Sequence, residues 1–541
     1  MRLDYTVDQP RREREPSDAS FAAFIRRWPT LSACVLILVF AILIRGPSFT
    51  ISVIDPDESA FALAAREVLR GHLPYLTFFD IKPVGSTLLM AASMKILGQD
   101  LFAVRVLGLL CVWVAGLLIF RLAAAMRYSW SMSLAAAVLY VSYSATMHGL
   151  ATMTEIMLAP FTIGAVLCLI RARRAGSTVS KLSFVSLSGL LVGLAVLIKI
   201  VPAAPGFLVF GAYILGESFK PDRRVSTILM SIVLFSAMSL LPMLLAATSY
   251  WINGEWNAFA YANFGFAGDY IDVRQSINRI LIQLLKIQLP LLPLLIFSTL
   301  SIINHIQQHR FSNISSAPIL LLLWAAGEYI ASTASLKFFP HYFLMTLPPL
   351  CLLCTDGLRV FLSLISGGYV RARATIALAL LIAAIPIAET AKATWPPFIT
   401  QNDVGRSAAA EISRAASKPQ PTIFVISQEM IALYLLADAN LPTRFAQPVQ
   451  LLVDHPSLVQ GDPRAELHRV LKEIPPEFII VNRATLDDRS WSWTRVSAEL
   501  GCCYVEVANV KESILIDDYF ASRDIDIVIY QKREFVRPSS R

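Results

Sequence analysis

Charged residues are scarce in this sequence of 541 residues. Lysine, arginine, aspartate and glutamate make up only 16% of it, whereas 55% is hydrophobic; soluble proteins carry about a quarter charged residues. The apolar residues cluster into about eleven stretches, and ~20 apolar residues suffice to cross a bilayer core ~30 Å thick. This composition excludes a large soluble core and predicts a polytopic bundle of transmembrane helices. The predicted spans are residues 31–50, 104–122, 131–147, 156–171, 183–200, 202–217, 226–248, 281–303, 316–334, 339–361 and 373–391.

Cysteine and histidine are also few, with seven residues of each. No Cys/His cluster has the spacing of zinc ligands. Five cysteines lie in apolar spans as packing residues, and Cys502 and Cys503 are neighbours, between which a disulfide would be strained. The sequence therefore predicts no disulfide framework. No motif requires a cofactor, and the sequence is compatible with a divalent metal without requiring one.

A cleavable signal peptide is also missing. The apolar run Leu31–Ile44 follows an arginine-rich leader, and no small-residue cleavage site comes after it. Because a signal peptide ends at such a site, we interpret the run as a retained first span and residues 1–30 as a cytoplasmic tail.

The net charge of +8 comes largely from short loops between the predicted spans, which argues against a nucleic-acid partner. Short loops rich in lysine and arginine face the cytoplasm. The intervening turns, His148–Glu155 and Leu336–His341, hold one lysine, Lys337, and no arginine. Eleven spans that start inside place the C-terminus outside, which in a bacterial inner membrane is the periplasm. The basic loop residues are Arg171, Arg173, Arg174, Lys181, Lys220, Arg223, Arg224, Arg359, Arg371 and Arg373.

This topology leaves residues 46–100 as one long outer loop. Within it, Ser59–Arg70 has the apolar spacing of an amphipathic helix, with Gly71 as its stop. Val84–Leu97 is apolar but short and contains Lys95. We interpret it as an interfacial helix rather than a span.

From about residue 394 the hydropathy falls, which indicates a soluble C-terminal domain over residues 394–541. Apolar runs typical of strands alternate there with helical ones, as in a small α/β domain. The sequence shows no repeat of fixed period. The predicted fold class is therefore a mainly α transmembrane bundle (residues 31–393) with a small α/β domain in the periplasm. Strands are expected at Thr422–Ser427, Glu477–Asn482, Cys503–Asn509 and Ile525–Gln531, and a helix at Met430–Ala437.

Two charged motifs occupy the outer loop. The first, Asp55-Pro-Asp57-Glu58-Ser59, directly follows the first span. Its structural interpretation is a helix cap, since acidic residues stabilise the first turn; its alternative is a reactive carboxylate. The second, Tyr75 to Gly85, places Asp80 and Lys82 beside aromatic residues. This is either a surface ion pair worth at most ~1 kcal/mol or a binding site.

Together these motifs resemble the GT-C glycosyltransferases of the family-39 type, whose relatives include lipid A aminoarabinose transferases and protein O-mannosyltransferases. The resemblance covers roughly residues 31–391, and the C-terminal domain resembles no family that we can name. The motifs that carry the resemblance are Asp57-Glu58, Ala65-Arg66-Glu67 with Gly71, Pro74-Tyr75 with Phe79-Asp80 and Lys82-Pro83, Leu197-Ile198-Lys199 with Pro202, Ser249-Tyr250-Trp251 with Arg274, and Lys337 with Pro340-His341-Tyr342 and Leu347-Pro348.

The resemblance implies transfer of a sugar from a polyprenyl-phosphate lipid to a hydroxyl group, with inversion and without a nucleotide-sugar site. The implied acceptor is a lipid A or core sugar, another lipid-linked glycan, or a protein. Such a reaction needs a base for the acceptor proton and cations for the departing phosphate. We assign Asp57 as the base and Glu58 as a neighbour that tunes its pKa or orients it.

Further polar residues fall at the outer ends of the predicted spans or in outer loops, where converging cations bind lipid phosphate. Asp80 is expected to position Lys82 or the sugar. Snorkelling is the alternative for Lys199, and a helix cap for Glu155. An interfacial aromatic belt is the alternative for His341 and Tyr342. The predicted substrate-binding residues are Asp80, Lys82, Glu155, Lys199, Arg274, Lys337, His341 and Tyr342.

The sequence departs from the aminoarabinose transferases at two positions. Ala60 stands where they have an arginine that contacts phosphate, and their Lys-Pro-Pro reads Lys82-Pro83-Val84 here. The phosphate cradle is therefore expected to be thinner, and the donor sugar stays open.

Two other functions compete with this interpretation. A flippase or transporter of lipid-linked glycans would account equally well for the spans and the cations, but it usually has internal pseudo-symmetry. A glycan polymerase or ligase would use a pyrophosphate-linked donor and a large loop much later in the chain.

Overall fold

The computed structural model describes residues 27–221, 223–265, 276–308, 317–365, 368–400, 403–452, 462–483, 491–514 and 523–536. Within these ranges eight helices are long and apolar enough to cross a membrane, so the chain is a multi-pass membrane protein. The predicted spans 131–147, 202–217 and 316–334 form helices of 14, 16 and 17 residues. A straight crossing needs ~20 residues, so helix length alone does not establish eleven crossings.

The helices of the membrane part are numbered here in chain order. They are α1 Pro29–Arg45, α2 Pro56–Leu69, α3 Gly85–Leu97, α4 Leu101–Ala125, α5 Trp130–Tyr143, α6 Thr154–Arg173, α7 Thr178–Ile198, α8 Ala203–Ser218, α9 Val225–Ile252, α10 Trp256–Ala260, α11 Ile277–Gln307, α12 Ala317–Thr333, α13 Leu347–Ile365 and α14 Gly368–Thr400. Short 3₁₀ segments follow α1 at Gly46–Thr50 and precede α13 at Pro340–Thr346.

Small residues let the long helices approach one another closely. On α7, Gly189 and Gly193 face α9, and a Cβ at either position would collide with the α9 backbone at Phe235 or Ser239. This Gly-x-x-x-Gly spacing is typical of membrane helices, whose association depends on packing because lipid is as apolar as their side chains. Elsewhere on the long helices, large apolar residues such as Leu285 are exposed, as expected of lipid-facing surfaces.

The outer loop contains the two predicted short helices. α2 begins at Pro56, three residues before the predicted start, and Gly71 ends it with φ of 92°. α3 has 13 residues, which is too short to span a bilayer.

The C-terminal domain contains a four-stranded sheet with the order β1-β2-β4-β3. β1 is parallel to β2, and the other two pairings are antiparallel. All four expected strands are confirmed, whereas the expected helix at 430–437 shortens to one four-residue turn. The elements are α15 Val404–Ala415, β1 Ile423–Val425, α16 Leu433–Leu436, α17 Pro448–Leu452, α18 Pro463–His468, β2 Phe478–Asn482, α19 Trp491–Cys503, β3 Tyr504–Ile514 and β4 Arg523–Lys532.

The two adjacent cysteines differ from the expectation. Cys502 and Cys503 end α19 and are joined by a disulfide, although strain argued against a bond between neighbours. Because a disulfide stabilises chiefly by closing a loop of chain, a bond between adjacent residues adds no framework to the domain.

The C-terminal domain packs directly on the outer loop. The buried guanidinium of Arg66 on α2 donates to the carbonyl oxygens of Tyr434 and Ala439, at 2.5 and 2.9 Å. Further along the loop, the Phe79 N–H donates to the Arg444 carbonyl at 2.8 Å. The domain therefore holds the chain immediately before Asp80 and Lys82.

Candidate active site

The first acidic motif forms the start of α2. Asp55 is the N-cap, and its Oδ1 accepts a hydrogen bond from the Asp57 N–H at 2.8 Å. Pro56 takes the first helical position, where a missing N–H costs nothing. The cap is therefore supplied by Asp55, and the carboxylate of Asp57, which is 29% exposed, has no capping role.

Asp57 is paired instead with the second motif. The Lys82 Nζ donates to Asp57 Oδ2 at 3.1 Å and lies 4.2 Å from the centre of the Phe61 ring. A cation over an aromatic face is attracted to the ring. The Tyr75 hydroxyl donates to the Lys82 carbonyl at 2.9 Å, which holds this part of the outer loop in place.

Asp57 and Asp80 of the outer loop have opposite pKa shifts. Burial by itself raises the pKa of Asp57, but Lys82, His341 and Lys199 together lower it below its usual range. Burial raises the pKa of Asp80, the charge of Asp57 adds to this, and Lys82 opposes it. Two carboxyl groups with diverging pKa values are typical of acid–base sites. The lowered pKa keeps the Asp57 carboxyl ionised near neutral pH.

A second ammonium group lies at the same end of the bundle. Lys199 follows the last residue of α7 and forms an ion pair with Glu155 in the first turn of α6. Its Nζ lies 3.6 Å from the centre of the Tyr342 ring. The Lys199 side chain is only 12% exposed and that of Glu155 is fully buried, so Lys199 is paired inside the protein and does not extend to water.

Close backbone packing brings the two lysines together. A Cβ on Gly85, the first residue of α3, would lie 2.5 Å from the Leu197 carbonyl oxygen near the end of α7. Only glycine allows this approach. It places the loop containing Lys82 against the end of the helix that precedes Lys199. We call the region formed by Asp57, Lys82, Glu155, Lys199 and Tyr342 the charged cluster.

Two histidines border the charged cluster. The His341 ring lies 6.2 Å from the His148 ring, centre to centre, and His148 Nδ1 is 2.7 Å from Asp55 Oδ2. Asp55 and His148 were not predicted as site residues, although both lie in segments that the sequence singled out. His148 has φ of 63°, which is uncommon for any residue except glycine and concentrates at functional sites.

Glu58 lies beside the charged cluster but is fully engaged elsewhere. Its Oε2 is 2.6 Å from Arg105 Nη2 on α4, and its Oε1 accepts from the Thr152 N–H at 2.6 Å. Both side chains of the ion pair are 1% exposed. These bonds tie α2 to α4 and to the turn before α6, which supports a positioning role for Glu58.

The sequence analysis also singled out Ala60, Lys337 and Arg274. Ala60 is completely buried in the apolar cluster shared by α2 and the C-terminal domain. Its side chain therefore packs against apolar residues and is not placed to contact a phosphate. Lys337 is half-buried in the turn between α12 and the Pro340–Thr346 segment. Arg274 lies outside the described residues.

One group in the described part of the chain has the geometry of metal ligands: Glu499 with Cys502 and Cys503. It belongs to the C-terminal domain, and the disulfide occupies both sulfurs.

Comparisons with known proteins identify relatives of this chain. The family model for dolichyl-phosphate-mannose-protein mannosyltransferases matches residues 81–251, a segment that includes Lys82, Glu155 and Lys199 and is less than half of the chain. A curated relative from Photorhabdus laumondii, undecaprenyl phosphate-alpha-4-amino-4-deoxy-L-arabinose arabinosyl transferase, is 34% identical over 94 residues. That match spans 16% of this chain and 17% of the relative.

Solved structures extend the similarity to nearly the whole chain. The apo structure of ArnT from Cupriavidus metallidurans superposes with a TM-score of 0.60 at 13% identity, over 93% of this chain and 99% of that one. The structure of the same protein bound to undecaprenyl phosphate gives the same TM-score and the same coverage at 14% identity. At such low identity the likeness establishes the fold. The chain therefore has the GT-C fold in the form seen in ArnT, and by sequence and structure it resembles the aminoarabinose-transferase type of GT-C glycosyltransferase.

Proposed function

We propose that this chain transfers a sugar from a polyprenyl-phosphate donor to a hydroxyl acceptor, with inversion, at the periplasmic face of the bacterial inner membrane. The observation that supports this most directly is the charged cluster, where a carboxylate held ionised lies beside two ammonium groups at one end of a membrane bundle. A donor with a lipid tail in the bilayer presents its phosphate at this level. The undecaprenyl phosphate of the ArnT structure supports the same donor class.

The geometry supports a single displacement. The acceptor oxygen attacks the anomeric carbon of the sugar while Asp57 accepts the hydroxyl proton. The bond from the anomeric carbon to the phosphate oxygen breaks, and its electron pair leaves with the polyprenyl phosphate. Lys82 and Lys199, with Arg274 and Tyr342, stabilise the charge that develops on the phosphate. One attack from the face opposite the leaving group inverts the configuration.

Donor binding also raises the pKa of the base, Asp57. Without donor, Lys82 is paired with Asp57 and lowers the pKa of its carboxyl. A phosphate that binds the Lys82 ammonium competes for this charge, so the pKa of Asp57 rises towards the range where a carboxylate accepts a proton more readily. Asp57 thus becomes a stronger base only when the phosphate is in place.

The remaining roles follow from position. Glu155 orients Lys199 through their buried ion pair, and Asp80, His341 and Lys337 line the route for the sugar or the acceptor. The C-terminal domain helps to select the acceptor, which is a lipid A or core sugar, another lipid-linked glycan or a protein. Because the two ammonium groups supply the positive charge, we expect transfer to persist in the presence of a metal chelator.

The experiment that tests this function uses the purified full-length protein. Polyprenyl phosphates that carry either a pentose or a hexose are offered with a bacterial envelope extract as the source of acceptors, and mass spectrometry identifies the products. We expect a glycosylated product and free polyprenyl phosphate in equal amounts. If the donor instead crosses the bilayer of reconstituted vesicles and no product forms, the protein is a flippase and this proposal is wrong.

Orientation is tested separately in cells. Alkaline phosphatase fused to the C-terminus of the full chain should be active, since it folds only in the periplasm. The same reporter inserted after Gly176, in the basic loop between α6 and α7, should be inactive. The reverse result would place the charged cluster in the cytoplasm.

A further inference from the structure

A polar cavity lies at the end of the bundle opposite the charged cluster. Its volume is about 300 Å³, at the lower end of the range for small-molecule sites, about 300–1,000 Å³. Its apolar walls come from methionine, proline and leucine residues near α4 and on α5, α12 and α13. Its polar lining consists of Arg127, Tyr128, His305, Asp356 and Arg359.

Helix directions place this cavity far from the charged cluster. Arg105, near the start of α4, pairs with Glu58 beside the charged cluster. Arg127 lies just beyond the other end of α4, after 22 further residues, or ~33 Å at 1.5 Å per residue. The cavity is therefore at the end of the bundle that contains the basic interhelical loops, and no step proposed above uses it.

A fixed network holds one of the two arginines in the cavity wall. Asp356 Oδ1 is 2.7 Å from Arg359 Nη2, and its Oδ2 is 2.9 Å from His305 Nε2 and accepts from the Ser301 hydroxyl at 2.7 Å. Both carboxylate oxygens are thus directed at donors. Arg359 itself stays 45% exposed, so it is oriented by the network but still open to a ligand.

The other arginine occupies an unusual backbone position. Arg127 has φ of 68°, and α4 ends with hydrogen bonds from the Arg127 N–H to Ala124 O and from the Tyr128 N–H to Ala123 O. This Schellman ending normally has glycine at the left-handed position, because a side chain is strained there. In the part of the chain that the structure describes, the Arg127 side chain has no hydrogen bond or ion pair. No polar side-chain contact within those residues therefore offsets the backbone strain.

We propose that this cavity binds a phosphate-ester anion between Arg127 and Arg359. Two guanidinium groups against one carboxylate leave the cavity with net positive charge, and guanidinium donors match phosphate oxygens in geometry. Basic pockets between membrane helices near the cytoplasmic surface bind phospholipid head groups. The apolar walls suit the glycerol and upper acyl carbons of such a lipid. The same chemistry also fits a soluble phosphate ester, and the two sources are separated below.

The test uses the full chain, purified in neutral detergent and depleted of lipid. Native mass spectrometry measures binding of phosphatidylglycerol, and calorimetry measures binding of sn-glycerol 3-phosphate. Arg127→Gln should weaken binding about fivefold, as expected for the loss of one basic residue at a membrane surface. Arg174→Gln is the matched control, because Arg174 is exposed at the same end of the bundle and does not line the cavity.

A second variant separates binding from folding. Arg127→Gly relieves the left-handed strain, so the free protein should be at least as stable to heat as the native chain while its affinity falls as in Arg127→Gln. Arginine-dependent binding of phosphatidylglycerol alone assigns the site to a lipid head group. Arginine-dependent binding of both ligands shows that the phosphate ester suffices. The proposal is overturned if both Arg127 variants bind both ligands as the native chain does, or if Arg174→Gln weakens binding equally.

Discussion

Replacing Asp57 by asparagine separates proton removal from the structural roles of the residue. The change is nearly isosteric, and the cap of α2 is retained because Asp55 supplies it. The pair with Lys82 is partly exposed, with side-chain exposures of 17% and 29%, and such pairs contribute at most ~1 kcal/mol. The free energy of unfolding should therefore fall by less than ~1 kcal/mol.

The effect on catalysis should be far larger. A positioned general base contributes ~10²–10⁴-fold to a rate, which corresponds to ~3–5 kcal/mol of activation free energy. The rate of transfer is measured in a single turnover with saturating donor, and donor affinity is measured separately by binding. We expect Asp57→Asn to lose ~10²–10⁴-fold in the single-turnover rate and to bind the donor at least as tightly as the native chain, because Lys82 is released for the phosphate.

Glu58→Gln is the matched control on the neighbouring residue. Its ion pair with Arg105 is buried on both sides, and breaking a buried pair costs ~3–5 kcal/mol because one charge remains uncompensated. The melting temperature should fall, while the rate per folded molecule stays within about tenfold of the native value. The opposite pattern, with Asp57→Asn active and Glu58→Gln inactive at an unchanged melting temperature, would refute the assignment of the base.

Three further predictions concern the surroundings of the base. Lys82→Met removes the main charge that lowers the pKa of Asp57, so the acid limb of the rate–pH profile should move to higher pH; an unchanged limb in that profile would contradict the pairing. Lys199→Met should weaken donor binding and lower the melting temperature, because Glu155 loses its buried partner. Adding Glu155→Gln removes the unpaired charge, so it should restore stability but not donor affinity. A normal donor affinity in the Lys199→Met variant would exclude a phosphate contact. Phe445→Ala should lower the free energy of unfolding by ~3–5 kcal/mol. It should also raise the donor KM, because the Phe445 ring lies 5.5 Å, centre to centre, from the ring of Phe79, which precedes Lys82 in the outer loop. A lower melting temperature with an unchanged KM would show that the C-terminal domain does not position Lys82.

The hydropathy of the chain was enough to predict the architecture. Long apolar runs predicted the membrane bundle, and strand-like runs such as Glu477–Asn482 predicted the C-terminal sheet, because hydropathy and β-propensity are properties of short segments. The two acidic motifs of the outer loop also stood out locally, since carboxylates are costly near a membrane. The number of membrane crossings could not be predicted in the same way. Three of the predicted spans form helices of 14 to 17 residues, which is shorter than the ~20 residues of a straight crossing.

The partners of each charge depended on the tertiary structure. The sequence placed Asp57 and Asp55 in one motif, but only the fold distinguishes the cap from the carboxylate that meets Lys82. In the same way, the burial of Glu58 against Arg105 and the pairing of Lys199 with Glu155 join residues from separate helices. Local sequence determines which segments enter the membrane, because transfer from water depends on each segment's own composition. Which charges meet depends on how closely the helices pack, and that is decided by contacts between segments far apart in the chain.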